Sequence, residues 1–374
     1  MLERTFTRAL FAASAAATGL FLIFAYSHPV SDTSASASAA ASASAGSTAP
    51  TSSAEAATGS ASNATTPTHT AASSSTSVET QSTNATVNVS TLLDPTKKYL
   101  GIAQDGIPDD MTGLTKLSKE IGKTPNMVAY YVPWGQSLNQ TWVLNLVNDG
   151  ILPLIQFEPT TPSIADIAAG ASDAYATTLA QTIKALNVPI VLSFGHEMNG
   201  NWYNWGTKGT SAADFVKAWR RIHDIFSKVG ATNVIWLWDV NVTYPVPDIA
   251  LEPLYPGNAY VNWVGLTGYY NTTPGGRSTF DTLFEPTMEQ VRTFTEKPFL
   301  IAETGVSPSA EKPTEISNLF TGVQAHSDVL GFVWFNYDKS GANETDWMIN
   351  SDPTSAATFA ELAKASTWGF AITP

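Results

Sequence analysis

The stretch Val188-Pro-Ile-Val-Leu-Ser-Phe-Gly-His-Glu-Met-Asn-Gly-Asn-Trp-Tyr-Asn-Trp-Gly206 joins a short apolar run to a dense polar and aromatic cluster. The apolar run, residues 188–192, has the length and composition of a buried strand. In the cluster, the acid can transfer protons, the amides can hydrogen-bond hydroxyl groups, and the flat rings can stack on apolar faces of sugars. The cluster therefore favours a carbohydrate-cleaving site, although an ordered loop of polar and aromatic residues is the local alternative.

Similar apolar runs recur on both sides of this stretch and alternate with helical patterns. The eight candidate strands are residues 99–103, 127–132, 152–157, 189–194, 234–238, 263–268, 299–302 and 329–335. Helical patterns lie between them, at residues 111–121, 173–186, 213–229 and 282–295 among others. Apolar strands that alternate with helices indicate parallel β/α units, so we predict an α/β fold of the (β/α)8, or TIM-barrel, type. The alternative is a doubly wound open sheet, which the lack of a Gly-rich phosphate fingerprint after the first strand disfavours.

Two glutamates follow strands that lie across the predicted barrel mouth from each other. Glu197 follows the fourth candidate strand, and Glu303 follows the seventh. Catalytic residues of TIM barrels project from the carboxyl ends of strands, so both side chains can reach one substrate. Glycoside hydrolysis requires two carboxylic acids that flank the scissile bond. Either glutamate alone could instead pair with a cation or cap a helix, and it is the joint pattern that favours catalysis.

The composition of the chain excludes several other kinds of site. Its 374 residues carry 32 acidic and 19 basic side chains, for a formal net charge of −13. No basic patch that would neutralise phosphates is visible, so we expect no nucleic-acid partner. The absence of cysteine rules out disulfide bonds, thiolate metal sites and cysteine nucleophiles. Position 200 is glycine, so His196 and Glu197 do not form a His-Glu-x-x-His zinc site, and we expect neither a metal nor a cofactor.

The first 90 residues predict an export segment and a tether. Arg4 and Arg8 precede an apolar run at residues 9–26, which is typical of a signal peptide or signal anchor within residues 1–30. Residues 31–90 are almost entirely Ser, Ala and Thr and cannot bury enough apolar surface to fold, so we expect a disordered linker. The catalytic domain is then assigned to residues 91–374. We expect the protein outside the cell, either secreted or held at the membrane through residues 9–26.

Five ordered motifs carry a resemblance to a known family. They are His196-Glu-Met-Asn-Gly-Asn-Trp-Tyr-Asn-Trp205, Phe215-Val-Lys-Ala-Trp-Arg-Arg-Ile-His223, Gly230-Ala-Thr-Asn-Val-Ile-Trp-Leu-Trp238, Tyr255-Pro-Gly-Asn-Ala-Tyr-Val-Asn-Trp-Val-Gly-Leu-Thr-Gly-Tyr269 and Lys297-Pro-Phe-Leu-Ile-Ala-Glu-Thr-Gly305. Together they resemble glycoside hydrolase family 26, the β-mannanase family. The stretch before Ile151 is less distinctive.

This resemblance implies a retaining double displacement, with Glu197 as the general acid/base and Glu303 as the nucleophile. It also implies that Tyr269 holds the nucleophile carboxylate and that His196 binds a substrate hydroxyl; the competing interpretation is that both side chains simply pack in the core. Trp334 on the last strand resembles the family's aromatic floor beneath the sugar. The other residues predicted to bind substrate, by stacking or by lining the cleft, are Trp202, Trp205, Asn241 and Tyr131.

Two positions depart from the family pattern and leave the preferred sugar open. Many members carry an arginine where this chain has Ser193, and relatives often carry an aspartate where it has Thr267. We predict an endo-acting retaining β-glycanase, with a β-1,4-mannan as the first-choice polysaccharide and a β-1,3-1,4-glucan or a β-1,3-xylan as alternatives. A non-catalytic carbohydrate-binding or cell-surface protein on a barrel scaffold is the alternative from another class. We expect a monomer.

Overall fold

The computed structural model describes residues 89–243, 249–271, 275–342 and 345–372. Eight parallel strands in these ranges form one closed barrel in chain order, because the first strand pairs with the eighth. The predicted TIM barrel is confirmed, and the doubly wound open sheet is excluded. The strands are Tyr99–Gln104 (β1), Met127–Pro133 (β2), Leu152–Glu158 (β3), Ile190–Phe194 (β4), Val234–Asn241 (β5), Trp263–Tyr270 (β6), Phe299–Val306 (β7) and Val329–Asn336 (β8).

α-Helices lie between most successive strands and cover the outside of the barrel; between β5 and β6 the described residues form only a short 3-10 helix, Glu252–Leu254. The predicted helix at residues 282–295 is wrong in one respect: the chain forms two short helices there, since a proline at position 286 fits the first turn of a helix but not its interior. The α-helices of the described ranges are Ser90–Leu93 (α1), Thr112–Ile121 (α2), Gln140–Asn148 (α3), Ile164–Ala169 (α4), Asp173–Leu186 (α5), Ala212–Val229 (α6), Phe280–Leu283 (α7), Glu285–Arg292 (α8), Lys312–Ala325 (α9) and Pro353–Ala363 (α10).

Successive side chains of each strand point alternately into and out of the barrel, which divides the apolar core into two layers. Val191 and Leu237 belong to the layer inside the barrel, whereas Leu192 and Trp236 point outwards. The indole of Trp236 packs on Trp219 of α6 with ring centroids 6.1 Å apart. The same alternation turns the polar residues near the carboxyl ends of the strands into the barrel, which is how the fold assembles a site from separate strands.

Among these residues, no helix is long and apolar enough to cross a bilayer. The predicted export segment and nearly all of the predicted linker, residues 1–88, lie outside the described ranges.

Candidate active site

Glu197 is placed by a left-handed backbone conformation just after β4. Its φ angle is +53°, a region that residues with a Cβ rarely adopt and that is over-represented at functional sites. The preceding Gly195 also has a positive φ, of +61°. The N–H of Glu197 donates to the backbone oxygen of Asp239 on β5, at 2.8 Å, which fixes the turn against the neighbouring strand.

Two neutral donors hold the Glu197 carboxyl group. The Asn241 side-chain amide donates to Oε1 at 2.6 Å, and the Trp202 indole N–H donates to Oε2 at 3.0 Å. Asn241 is itself held by two hydrogen bonds to Asn199, at 2.8 Å and 2.9 Å. The carboxyl group is therefore oriented from both sides in a residue that is only 6% exposed.

Glu303 lies on β7 and receives two phenol O–H groups from other strands. Tyr131 on β2 donates to its Oε2, and Tyr269 on β6 donates to its Oε1. The pairing of β6 with β7 shifts register beside Thr267, and bulges of this kind re-aim side chains next to active sites. Both predicted acids are thus buried at the same barrel mouth, and each has its own pair of donors.

The electrostatic environment separates the two acids. Burial and, second to it, the negative charge of Glu303 raise the pKa of Glu197 to about 8, against the opposing effect of the hydrogen bonds from Asn241 and Trp202. Burial also raises the pKa of Glu303, but the O–H groups of its two tyrosines and the charge of Lys339 pull it back down. A pair with opposed environments holds one acid protonated and the other ionised. Here Glu197 keeps its proton and Glu303 loses it first.

His196 lies beside this pair as a neutral ring. It is 2% exposed, and burial lowers its pKa to about 3. Its ring contacts those of Tyr131 and Tyr203, at centroid distances of 5.7 Å and 5.1 Å. Its role in binding a sugar hydroxyl stays a prediction, as do the substrate-binding roles of Trp202, Asn241, Tyr131 and Tyr269.

Two of the predicted stacking platforms are buried instead. Trp205 is 1% exposed, stacks on Tyr203 at 4.1 Å and 11°, and donates its N–H to the backbone oxygen of His196. Trp334 is fully buried and packs edge-on against Phe359 of α10 at 5.5 Å. Neither ring has a free face, so the predictions that they stack on sugar are wrong.

A further aromatic ring near Glu303 is that of Trp347, in the segment after β8. Its ring lies 4.3 Å from that of Tyr269, and its side chain remains partly exposed. The buried Trp334 contributes indirectly, because its indole N–H donates to the backbone oxygen of Trp347 at 2.8 Å. Sequence reasoning missed Trp347, and its only signal was an aromatic residue in the segment that follows the last strand.

Two further carboxyl groups near the acids were also missed. Glu158 ends β3, and its pKa rises to about 7 because of burial and the charge of Glu303, against the opposing charge of Lys339. Asp239 lies inside the barrel on β5, and burial likewise raises its pKa to about 7. Both sit at or near the carboxyl ends of strands, which was the available signal.

Comparison with known proteins agrees with this geometry. Residues 135–364, which include both acids, match Glycosyl hydrolase family 26. The chain belongs to glycosyl hydrolase family 26. This family 26 protein places Glu197 just after β4, as predicted, whereas Glu303 lies within β7, which extends to Val306 beyond the predicted strand end.

Several known proteins resemble the chain in sequence or in fold. Endoglucanase H of Acetivibrio thermocellus is 32% identical over 258 residues, which cover 65% of this chain and 28% of that protein. A mannan endo-1,4-β-mannosidase of Bacillus subtilis is 28% identical over 134 residues, which cover 33% of each chain. The chain thus spans about a third or less of the length of these curated relatives. The solved catalytic domain of an endo-β-1,4-mannanase from Bacillus sp. JAMB-750 shares the fold, with a TM-score of 0.57, 14% identity, and coverage of 73% of this chain and 87% of that one.

Proposed function

We propose that this family 26 protein is an endo-acting, retaining β-glycanase that hydrolyses β-1,4-mannan-type polysaccharide. The observation that carries the proposal is the asymmetry of the two acids. Glu197 is held by neutral donors with its pKa raised to about 8, whereas Glu303 accepts two phenol O–H bonds that favour its charge. One protonated and one ionised carboxyl group are what a retaining hydrolase needs at the start of its cycle.

In the first step, Glu303 attacks the anomeric carbon as the glycosidic bond breaks. Glu197 gives its proton to the departing oxygen, so the leaving sugar departs as a neutral alcohol. The product on the enzyme is an ester between Glu303 and the sugar, with inverted configuration at the anomeric carbon.

In the second step, the roles of Glu197 reverse because the ester has no charge. The charge of Glu303 is the second largest cause that raises the pKa of Glu197, and esterification removes it. The ionised Glu197 then takes a proton from water, which attacks the anomeric carbon and releases Glu303. Two inversions restore the original configuration, and Glu197 is protonated again.

The second candidate substrate is a β-glucan. It is favoured by the similarity to Endoglucanase H, which extends over 65% of this chain, and by Ser193 and Thr267, which depart from the usual family residues. Mannan remains the first choice because the named B. subtilis relative and the JAMB-750 structure are both mannanases. A β-1,3-xylan is the third polysaccharide to include in a test.

The test is hydrolysis of a β-1,4-mannan, a β-1,3-1,4-glucan and a β-1,3-xylan, followed by reducing-sugar release and product size. We expect internal cleavage of one of them, and a loss of at least about 10³-fold in kcat for Glu303→Ala. Glu361→Ala is the matched control, because it removes an exposed carboxylate on α10. Binding without hydrolysis would instead support a non-catalytic protein, and a normal rate for Glu303→Ala would refute the assigned roles.

We further propose that the chain is exported and acts as a monomer outside the cell. The support is the basic start at Arg4 and Arg8, followed by the apolar run at residues 9–26. Cell fractionation and N-terminal sequencing of the mature protein distinguish a cleaved signal from a retained anchor. Protein found only in the soluble cytoplasmic fraction would contradict the proposal.

A further inference from the structure

Beneath the catalytic pair, three polar side chains from different strands are joined inside the barrel. The Gln156 side-chain amide on β3 donates to Oδ2 of Asp239 on β5 at 3.0 Å, and the Thr267 hydroxyl on β6 donates to Oδ1 at 3.3 Å. Gln156 and Asp239 have no exposed surface, and Thr267 is 1% exposed. Substrate cannot reach the Asp239 carboxyl group, so any role it has must act through neighbouring residues.

The residues around Asp239 leave room for its carboxyl group. Its pairing partner on β6 is Gly265, where a Cβ would lie 2.7 Å from Oδ1 and 2.8 Å from Cγ of Asp239. Ser193 lies on β4, between the strands that carry Gln156 and Asp239, and pairs in register with Gln156. The two departures from the family pattern, Ser193 and Thr267, are therefore both neighbours of this buried acid or of its bond.

The position of Asp239 connects it to both catalytic residues. Its backbone oxygen accepts the N–H of Glu197, the contact that fixes the left-handed turn of the acid. Its side-chain partner Thr267 pairs in register with Glu303 on β7. A shift of Asp239 would consequently move Glu197, which is bonded to its backbone oxygen. It would also disturb β6, the strand that pairs with β7 at Glu303.

We propose that Asp239 is a positioning residue, which ties β3, β5 and β6 together beneath Glu197 and Glu303 and thereby sets the geometry of the pair. This inference rests on the proposed function, because positioning matters only if the two glutamates perform the reaction. The charged groups that face Asp239 are Glu197 from the end of β4 and Glu303 from β7. The side chains that contact it from β3 and β6 are neutral.

The electrostatic coupling gives the role a measurable signature. The charge of Asp239 helps to raise the pKa of Glu197, although less than burial and Glu303 do. Removing that charge lowers the pKa of Glu197, and the alkaline limb of the kcat profile then moves to lower pH. A residue that only filled space would leave this limb in place.

The test compares kcat, KM and pH profiles for Asp239→Asn with those of the wild type. Because Gln156 Oε1 has no hydrogen-bond partner in the described structure, a rotated Gln156 amide can accept from the new asparagine, so the fold should tolerate the change. We expect kcat to fall about 10- to 100-fold, KM to change by less than about twofold, and the alkaline limb to shift to lower pH. Gly265→Ala provides a second variant, which displaces the Asp239 carboxyl without removing any acid and should also lower kcat.

The matched control is Glu315→Gln on α9. Glu315 is also a buried acid, 2% exposed and with its pKa raised to about 7 by burial, but it lies outside the barrel. Thermal unfolding of every variant shows whether it is folded. A lower kcat in a folded variant then reports altered positions of Glu197 and Glu303. Folded Asp239→Asn and Gly265→Ala with wild-type kcat and alkaline limb would overturn the inference. The proposed function is judged separately, by wild-type hydrolysis and its loss in Glu303→Ala.

Discussion

The tyrosine bonds to Glu303, the proposed nucleophile, give the sharpest prediction, because they oppose the effect of burial on its pKa. Tyr269→Phe removes one phenol oxygen and leaves the ring that packs on Trp347. A hydrogen bond to a charged group is worth about 1.5–3 kcal/mol, and 1.4 kcal/mol corresponds to about tenfold. The loss of the donor raises the pKa of Glu303, so Glu303 is ionised in fewer molecules at acid pH.

We therefore expect kcat/KM on the acid limb to fall by about 10- to 100-fold in Tyr269→Phe, with a smaller loss at the pH optimum. Initial rates of reducing-sugar release across the pH range measure this directly. Tyr270→Phe is the matched control: Tyr270 is the next residue on β6, faces outwards, and donates to Asn318 at 3.4 Å. An acid limb of Tyr269→Phe that superimposes on those of the wild type and Tyr270→Phe would refute the reasoning.

Two further predictions concern the acid and the stability of the fold. Trp202→Phe removes the indole donor that lowers the pKa of Glu197, so the alkaline limb should move to higher pH; an unchanged limb in a pH–rate profile would show that this bond does not tune the acid. Asp239 has a pKa of about 7 when folded, above its ordinary value, so the folded state binds the extra proton and stability falls as pH rises towards 7. Between pH 5 and 7, the free energy of urea unfolding should fall less steeply with pH in Asp239→Asn than in the wild type, by about 1 kcal/mol per pH unit on average, and equal pH dependence would contradict the assignment.

The order of the strands and the two acids could be predicted because their signals are local. Each strand is a short apolar run, and all eight predicted runs coincide with observed strands to within a few residues. Glu197 and Glu303 were found because the carboxyl end of a barrel strand is recognisable from the adjacent sequence. The one helix that was misplaced contains a proline, whose local effect on a helix outweighed the apolar pattern.

The residues that bond to buried acids could not be predicted from local patterns, because they are distant in sequence from their partners. Tyr131 lies 172 residues from Glu303, its hydrogen-bond partner, and Gln156 lies 83 residues from Asp239. Asp239 looked like one polar residue at the end of an apolar strand. Asp239 is buried, and contacts Gln156 and Thr267, only when the tertiary fold brings β3 and β6 close to it.

The sequence by itself determined the barrel, the family and the acid pair, since apolar runs and strand ends are properties of short segments. Only the tertiary structure decided which aromatic rings face the cleft. Trp334 and Phe335 are neighbours on β8, but Phe335 belongs to the layer inside the barrel and Trp334 to the layer outside it. Which face a strand residue takes depends on how the strand pairs with its neighbours, and a one-residue slip reverses it. Trp334 is buried against α10, whereas Trp347, from the segment beyond the strand, lies beside Tyr269.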